Sequence, residues 1–446
     1  MTSNDDPNAF GDRSNRRTRR AFLGTTAATV GTLALAGCMG SDGTGTDTEM
    51  TSGTETDEEM TTSEMTDGTE TTEGDMGGNP DVPILNYALT LEHLENAFYR
   101  DGLDTFSDDE LMEADVLSKF GEAVRMDVPE YLKVVGEHEA AHVEALTTTV
   151  SDLGGTPVEE GEYDFGYETP TDFLGVAMAL ENTGVAAYAG AAPSVVSNDI
   201  LAAAAGIHSV EARHASFLNL VNGEAPFPKA VDEAKSVSEV LEIAGQFVTS
   251  EVDPSVYETG DDRPTQDRKA SNDTNDIDVL NYALTLEHLE NAFYRDGLEN
   301  FSDDELMNAD ALSDFDEELR MKVPGHLQMA GEHENAHVDA LTKTVSDLGG
   351  TPVEEAEYDF GYSNASEFLG VAKALENTGV AAYKGAAPTV ESDAVFNAAI
   401  GIHSVEARHA SFLNELNVSS PFPMAVDEPK TMAEVTEIAG QFIVEN

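Results

Sequence analysis

The sequence has a single cysteine, no tryptophan and few basic residues. Of its 446 residues, 23 are Lys or Arg and 86 are Asp or Glu, so the formal net charge is −63. One cysteine excludes an intrachain disulfide framework, a cysteine-rich zinc site and a cysteine-ligated iron–sulfur cluster. The shortage of Lys and Arg excludes a nucleic-acid-binding protein that neutralises phosphates. Any chemistry must therefore use carboxylates, imidazoles or hydroxyls.

The N-terminal residues 1–37 are typical of an export signal and not of a folded domain. A basic stretch with twin arginines, 16–20, precedes a mildly apolar run that ends at Ala36, and this order resembles a Tat signal peptide. The apolar run has about 16 residues, fewer than the ~20 that a membrane-spanning helix needs. Because Cys38 follows Leu-Ala-Gly, the segment also resembles a lipobox. We therefore expect a protein that is exported and then anchored to the outer face of the cytoplasmic membrane through a lipid on Cys38.

Residues 38–80 are rich in Thr, Ser and acidic residues and poor in aliphatic ones. Such a segment cannot bury enough apolar area to offset its chain entropy, so we predict a disordered acidic tether. Acidic residues are also spread evenly along the rest of the chain. This composition resembles that of halophilic archaeal proteins, including their lipoproteins, and most of the carboxylates are interpreted as a solvated surface.

The rest of the chain is a tandem duplication of one unit. Residues 85–103 recur unchanged at 280–298, and residues 207–219 recur at 402–414, at a constant offset. Each unit has the usual size of a single domain, which favours tandem domains over a solenoid. The predicted organisation is a first domain, a linker and a second domain, at 81–249, 250–275 and 276–446.

Helical signals dominate each unit, and strand signals are nearly absent. In the first unit, Pro83 and Pro129 favour helix starts, and Gly154 favours a helix end. The predicted helices of this unit are 81–100, 128–153, 169–190, 198–220 and 236–249. The long connection between the second and third helices is typical of a four-helix bundle with one crossover. The predicted fold class is all-α, with two tandem four-helix bundles that each carry a short fifth helix.

Each of the four main helices carries a glutamate, and two of them also carry a histidine one turn later. Glu139 and His142 lie three residues apart on the second helix, and Glu211 and His214 have the same spacing on the fourth, which puts each pair on one helix face. The first and third helices carry Leu-Glu-x6-Tyr segments, with the pairs Glu92 and Tyr99, and Glu181 and Tyr188. This combination is the ligand set of di-iron and di-manganese carboxylate bundles.

In these motifs, and in the tail 226–232, the chain resembles the ferritin-like superfamily and its exported branch of ferritin-like and desiccation-related proteins. The resemblance covers both units and implies a dinuclear metal site in each. In such sites the Glu of each Glu-x-x-His bridges the metals, and the other two Glu chelate one metal each. The implied ligands are Glu92, Glu139, His142, Glu181, Glu211 and His214, and in the second unit Glu287, Glu334, His337, Glu376, Glu406 and His409. The resemblance also implies tyrosines that hydrogen-bond ligand carboxylates, namely Tyr99, Tyr188, Tyr294 and Tyr383.

Physical chemistry supports metal binding independently of the resemblance. Four carboxylates that face one bundle core repel one another and lose hydration, and two divalent cations would balance their charge. Oxygen and imidazole ligands suit iron or manganese, and zinc would also bind. Because each unit has a full set of ligands, we expect two metal ions in each and a monomer or small oligomer. The leading interpretation is a ferroxidase-like or catalase-like oxidoreductase that acts on oxygen, peroxide or ferrous iron. The alternative is a non-enzymatic stress or structural protein in which metal is structural or absent.

Four other side chains in or near these motifs are weaker candidates. Glu95 lies one turn after the glutamate chosen on the first helix, but Gly184 occupies the equivalent position on the third helix, so the two-fold pattern selects the earlier residue. His138 is interpreted as a surface residue or as forming interhelical hydrogen bonds, and His208 as reaching at most the rim of the site. His326 has no counterpart in the first unit, and a surface position is expected for it.

Overall fold

The computed structural model describes residues 78–250 and 275–444. The predicted export signal, the lipobox Cys38, almost all of the tether and nearly all of the linker lie outside these residues. The described residues contain 12 α-helices and, apart from two isolated bridges, no β-structure. No helix among them is long and apolar enough to cross a membrane.

Each half of the described chain has four long helices and two short ones. The helices of the first half are α1 Val82–Thr105, α2 Asp108–Met112, α3 Glu122–Asp152, α4 Pro170–Ala191, α5 Asn198–Asn222 and α6 Val237–Ala244. Those of the second half are α7 Asp276–Asn300, α8 Asp303–Met307, α9 Glu317–Asp347, α10 Ala365–Ala386, α11 Asp393–Leu416 and α12 Met432–Ala439. The predicted all-α fold with two tandem ferritin-like bundles is confirmed. The sequence did not predict the short helices α2 and α8.

Most helix ends follow local sequence signals. Thr169 caps α4 in a capping box with Asp172, at the predicted position. The cap of α5 is Ser197, whose side chain accepts a hydrogen bond from the backbone N–H of Ile200, one residue before the predicted cap. Gly223 ends α5 with φ of 85°, a left-handed conformation that glycine adopts without strain.

Helix α3 begins at Glu122, six residues before the predicted start, and Pro129 lies inside it. A proline inside a helix removes one backbone hydrogen bond and disfavours the helix. The turn before the proline nevertheless buries Val124 and Val128, which join the same core as Leu132. This burial explains why the helix continues through a residue that the sequence suggested as its beginning.

The two halves pack against each other along α5 and α11. The centre of this interface is a cluster of small buried side chains, Val185, Ala212, Ala215, Val380, Ala407 and Ala410. Small residues allow the two helix backbones to approach closely, so that side chains of one helix bond to the backbone of the other. Ser216 Oγ donates to the carbonyl of Arg408 at 2.9 Å, and Ser411 Oγ donates to the carbonyl of Arg213 at 3.0 Å. The contacts are reciprocal, as expected for two halves related by an approximate two-fold axis.

Candidate metal centre

In the first half, four helices bring six fully buried residues to one place. They are Glu92 from α1, Glu139 and His142 from α3, Glu181 from α4, and Glu211 and His214 from α5. These residues form two overlapping groups that could each hold a metal ion, because one ligand atom of every member lies within 4.8 Å of the others. Glu139 and Glu211 belong to both groups. The arrangement therefore has two cation positions that share two carboxylates.

The histidine Nδ1 atoms face carboxylate oxygens. His142 Nδ1 lies 3.1 Å from Glu92 Oε2, 3.2 Å from Glu139 Oε2 and 3.1 Å from Glu211 Oε1. His214 Nδ1 lies 3.1 Å from Glu139 Oε1 and 3.2 Å from Glu181 Oε2. A single N–H cannot donate to three oxygens at once, whereas a cation is attracted to all of them.

Three carboxylate oxygens at this site, Glu139 Oε1 and both oxygens of Glu211, are buried and have no well-aligned hydrogen-bond donor among the described residues. A buried carboxylate oxygen that lacks a donor loses its hydration without compensation. These oxygens belong to the two glutamates that the cation positions share, so bound cations would satisfy them. Carboxylate and imidazole ligands suit iron or manganese and also accept zinc.

Two tyrosine hydroxyls hold the remaining carboxylates, each across the bundle. Tyr99 of α1 donates to Glu181 Oε1 of α4 at 2.5 Å, and Tyr188 of α4 donates to Glu92 Oε1 of α1. Each hydroxyl fixes one oxygen of a glutamate and leaves the other directed toward a histidine. The carboxylates are thereby oriented before any metal binds.

The second half repeats this geometry with its own residues. The two overlapping groups are Glu287, Glu334, His337 and Glu406, and Glu334, Glu376, Glu406 and His409. His337 Nδ1 lies 3.1–3.2 Å from three carboxylate oxygens, and His409 Nδ1 lies 3.0 and 3.2 Å from two. Tyr294 donates to Glu376, and Tyr383 donates to Glu287. The structure therefore brings together all of the residues proposed from the sequence as ligands, in two separate clusters.

Comparison with known families gives an independent result. The profile of the family described as Ferritin-like domain matches residues 80–224 and 275–418, more than half of the chain. The chain belongs to this ferritin-like family. Both matched ranges contain their half's complete Glu and His cluster. The comparison with curated proteins gives no match.

The clusters of this ferritin-like protein perturb the pKa values of their members. Burial opposes ionisation of Glu139, but the imidazoles of His142 and His214 outweigh it and lower the pKa of that carboxyl. Burial raises the pKa of Glu92 to about 7, against the effect of His142. Burial also opposes protonation of His214, but the carboxylates of Glu181 and Glu139 raise its pKa to about 9. In the metal-free chain these histidines therefore carry protons that a bound cation would displace.

A fifth carboxylate in each half lies beside the cluster. Glu95, which the two-fold pattern set aside, is 3% exposed. Burial, followed by repulsion from Glu211 and Glu181, raises its pKa well above the ordinary value. Gly184 provides the space, since a Cβ atom there would lie 3.1 Å from oxygens of both Glu95 and Glu211. One signal in the sequence could have identified Glu95 as part of the site. Gly184 occupies the equivalent position on α4, and a glycine there leaves room for a fifth carboxylate. Glu290 and Gly379 repeat the arrangement in the second half.

The Nε2 atoms of the two histidines in the first cluster have different partners. His214 Nε2 lies 3.1 Å from His138 Nδ1 of the same half, so His138 makes the kind of interhelical contact that the sequence suggested. Burial lowers the pKa of His138 well below its ordinary value, so its ring is neutral and can accept a hydrogen bond. His142 Nε2 instead donates to the backbone carbonyl of Ala425, in the other half, at 2.6 Å.

Two histidines lie near the contact between the halves. His208 is buried, with its ring centroid 5.7 Å from that of His403 in the other half. His326 is half-buried and not a surface residue, because its ring packs against Phe227 of the first half and Phe412 of its own half. Both positions depend on how the halves pack, which the sequence of one unit did not predict.

Proposed function

We propose that this ferritin-like protein is exported, anchored to the membrane, and contains in each half a dinuclear iron or manganese centre for redox chemistry on dioxygen, peroxide or ferrous iron. The observation that carries the proposal is the sharing of Glu139 and Glu211 between the two cation positions of one cluster. Shared carboxylates hold two metals close enough to exchange two electrons with one substrate molecule.

The residues of the chain have distinct roles in this proposal. Bound iron or manganese would supply the redox couple. Glu139 and Glu211 would hold both cations, and Tyr99 orients the carboxylate of Glu181 by its hydrogen bond. Complete burial of the cluster excludes bulk water, which strengthens the interaction between the carboxylates and the cations. The proton of His142 Nδ1 would leave when a cation binds.

A small uncharged oxidant is favoured by the surroundings of the second cluster. An apolar cavity lined by Ala283, Leu286, Ala387 and Phe396 extends to Tyr383. The Tyr383 hydroxyl in turn donates to Glu287 of the cluster. A hydrated ferrous ion would lose its water ligands in such a cavity, whereas dioxygen would not. Dioxygen is therefore the first substrate to test.

The test combines metal analysis with turnover on the full chain, purified in molar salt. We expect about four iron or manganese ions per chain, two in each half. The anaerobically reduced protein should then consume dioxygen on mixing. The Glu139→Ala/Glu334→Ala variant should lose both properties. The matched control, Glu137→Ala/Glu332→Ala, changes exposed glutamates on the same two helices and should keep both.

Two outcomes would contradict the proposal. Stoichiometric metal without any reaction with dioxygen or peroxide would favour the structural alternative. Absence of iron, manganese and zinc from a folded chain, even after reconstitution, would show that the clusters are not metal sites.

A further inference from the structure

The segment that follows the last long helix of each half crosses to the other half. We call residues 225–235 the first tail and residues 420–430 the second tail. The second tail passes beside the cluster of the first half, and the first tail passes beside the cluster of the second half. Each tail lies outside the residues that match the ferritin-like family, 80–224 and 275–418.

Each tail places one backbone carbonyl on a histidine of the opposite cluster. His142 Nε2 lies 2.6 Å from the carbonyl oxygen of Ala425, and His337 Nε2 lies 2.6 Å from that of Ala230. A carbonyl oxygen only accepts hydrogen bonds, so Nε2 must carry the hydrogen. In the neutral ring, Nδ1 is then the atom with a free lone pair, and Nδ1 is the atom that faces the carboxylates.

The second histidine of each cluster has the partner of its Nε2 atom in its own half. His214 Nε2 lies 3.1 Å from His138 Nδ1, and His409 Nε2 lies 3.1 Å from His333 Nδ1. Each cluster therefore has one histidine whose Nε2 partner lies in its own half and one whose Nε2 partner lies in the opposite tail. This asymmetry allows the effect of the tail to be measured separately from the stability of the bundle.

Each tail is fixed by a buried ion pair with the half that it covers. Arg213 Nε donates to Asp427 Oδ2 at 2.8 Å, two residues after the carbonyl that bonds to His142. The backbone N–H of Asp427 also donates to the carbonyl of Gly206 at 3.2 Å. Gly206 makes this approach possible, because a Cβ atom there would lie 2.6 Å from Val426. In the second half, Arg408 and Asp232 form the equivalent pair at 2.7 Å.

An aromatic residue near the start of each tail packs on the same cluster. The ring of Phe422 contacts His214 edge-on, with 4.9 Å between the ring centroids. Phe227 contacts His409 in the same way at 4.6 Å. Both phenylalanines are fully buried. The tail therefore closes one side of the opposite cluster and also supplies a hydrogen-bond acceptor.

We propose that each half completes the metal site of the other half. Ala425 and Asp427 are positioning residues for the site of the first half, and Ala230 and Asp232 are positioning residues for the site of the second half. The metal-binding part of this inference rests on the proposed function. The hydrogen bond from His142 Nε2–H to the carbonyl of Ala425 does not, since it is a property of the metal-free chain.

The experiment separates the two sites and then loosens one tail at a time in the full chain. In a Glu334→Ala/His337→Ala background, only the first site can bind zinc, which has no redox chemistry of its own. Asp427→Asn should weaken zinc binding by about 10-fold or more, as is usual when the partner of a metal-binding histidine is lost. Asp232→Asn, the matched control, should leave zinc affinity unchanged. In the Glu139→Ala/His142→Ala background, only the second site can bind zinc. There, Asp232→Asn should weaken zinc binding, and Asp427→Asn should leave it unchanged.

A second measurement uses the metal-free chain. In ¹⁵N-histidine spectra, the Nε2–H proton of His142, assigned by its loss in His142→Gln, should shift in Asp427→Asn and not in Asp232→Asn. If Asp427→Asn does not fold, Phe422→Leu and Phe227→Leu replace the pair of variants, because they leave both ion pairs intact. Equal effects of the two tail variants on both sites would overturn the proposal. A different outcome is that the His142 signal shifts in Asp427→Asn and not in Asp232→Asn, but the chain binds no zinc. That outcome would contradict the proposed function and leave the positioning role in place.

Discussion

Arg213 in the first half and Asp427 in the second form a buried ion pair, with Nε 2.8 Å from Oδ2. Separating the halves would break this pair and require both charges to be hydrated again. The small apolar cluster along α5 and α11 would be exposed at the same time. The halves therefore behave as two associated subunits that are joined in one chain, and not as independent domains connected by a linker.

We expect the isolated first half, residues 78–250, to form a homodimer. Its own tail contains Phe227 and Asp232 at the positions that Phe422 and Asp427 occupy in the second tail. A second copy can therefore bind that tail at Arg213. Light scattering after size exclusion in molar salt checks this, with Asp232→Asn as the variant expected to weaken the dimer. A stable monomer that binds two metal ions would contradict both the dimer and the dependence of each site on the opposite tail.

The sequence predicted the fold and the composition of each cluster because both depend on spacing along single helices. Glu139 and His142 share one face in any α-helix, whatever the helix packs against. The carbonyl of Ala425 could not be predicted in this way, since every residue has a carbonyl and only the packing of the halves selects one. Glu95 was set aside because the two-fold pattern of the motif was treated as complete. The start of α3 was wrong because burial before Pro129 outweighed its local signal.

The hydroxyl of Tyr294 should matter for metal affinity, and that of Tyr282 should not. Both residues lie on α7, but Tyr294 donates to Glu376 at 2.5 Å, whereas the buried Tyr282 hydroxyl has no hydrogen-bond partner in the part of the chain that the structure describes. We expect Tyr294→Phe to free Glu376 and weaken metal binding in the second half by about 10-fold. Tyr282→Phe should change neither zinc affinity nor the melting temperature appreciably. Isothermal titration with zinc compares the two variants, and equal affinities would show that the tyrosine does not orient the carboxylate.

The stability of the metal-free chain should fall between pH 7 and pH 9. The folded chain holds the proton of His214 up to a pKa of about 9, above the value of about 6.5 in an unfolded chain. A raised folded-state pKa gives stability that is complete below the unfolded pKa and is lost as pH rises through the folded one. Metal affinity should rise over the same interval, because fewer protons must leave. Calorimetry at constant molar salt measures both quantities, and a metal-free stability that rises with pH would contradict the assignment.

Changing Cys38 to Ala should release the protein from the membrane. Cys38 is the only cysteine in the sequence, and it follows the Leu-Ala-Gly of the predicted lipobox. Without its thiol no lipid can be attached there, and the exported chain should appear in the medium. Fractionation of cells with an antibody against the second half detects the change, with Ser41→Ala as the control expected to remain in the membrane fraction. Persistence of the Cys38→Ala variant in that fraction would show that another feature anchors the chain.

Substitution by alanine should be far more disruptive at Gly184 than at Gly175, although both residues lie on α4. A Cβ atom at Gly184 would lie 3.1 Å from Glu95 Oε1 and Glu211 Oε2, whereas a Cβ atom at Gly175 would meet no atom of the described residues within 4 Å. Gly184→Ala should therefore displace the carboxylate of Glu211, which both cation positions of the first half share. We expect about half of the metal content per chain to be lost, since the second half is unchanged. Gly175→Ala should keep all of the metal and stabilise the helix by up to ~1 kcal/mol. Elemental analysis with thermal melts compares the two, and full metal content in Gly184→Ala would mean that Glu211 can move without affecting the site.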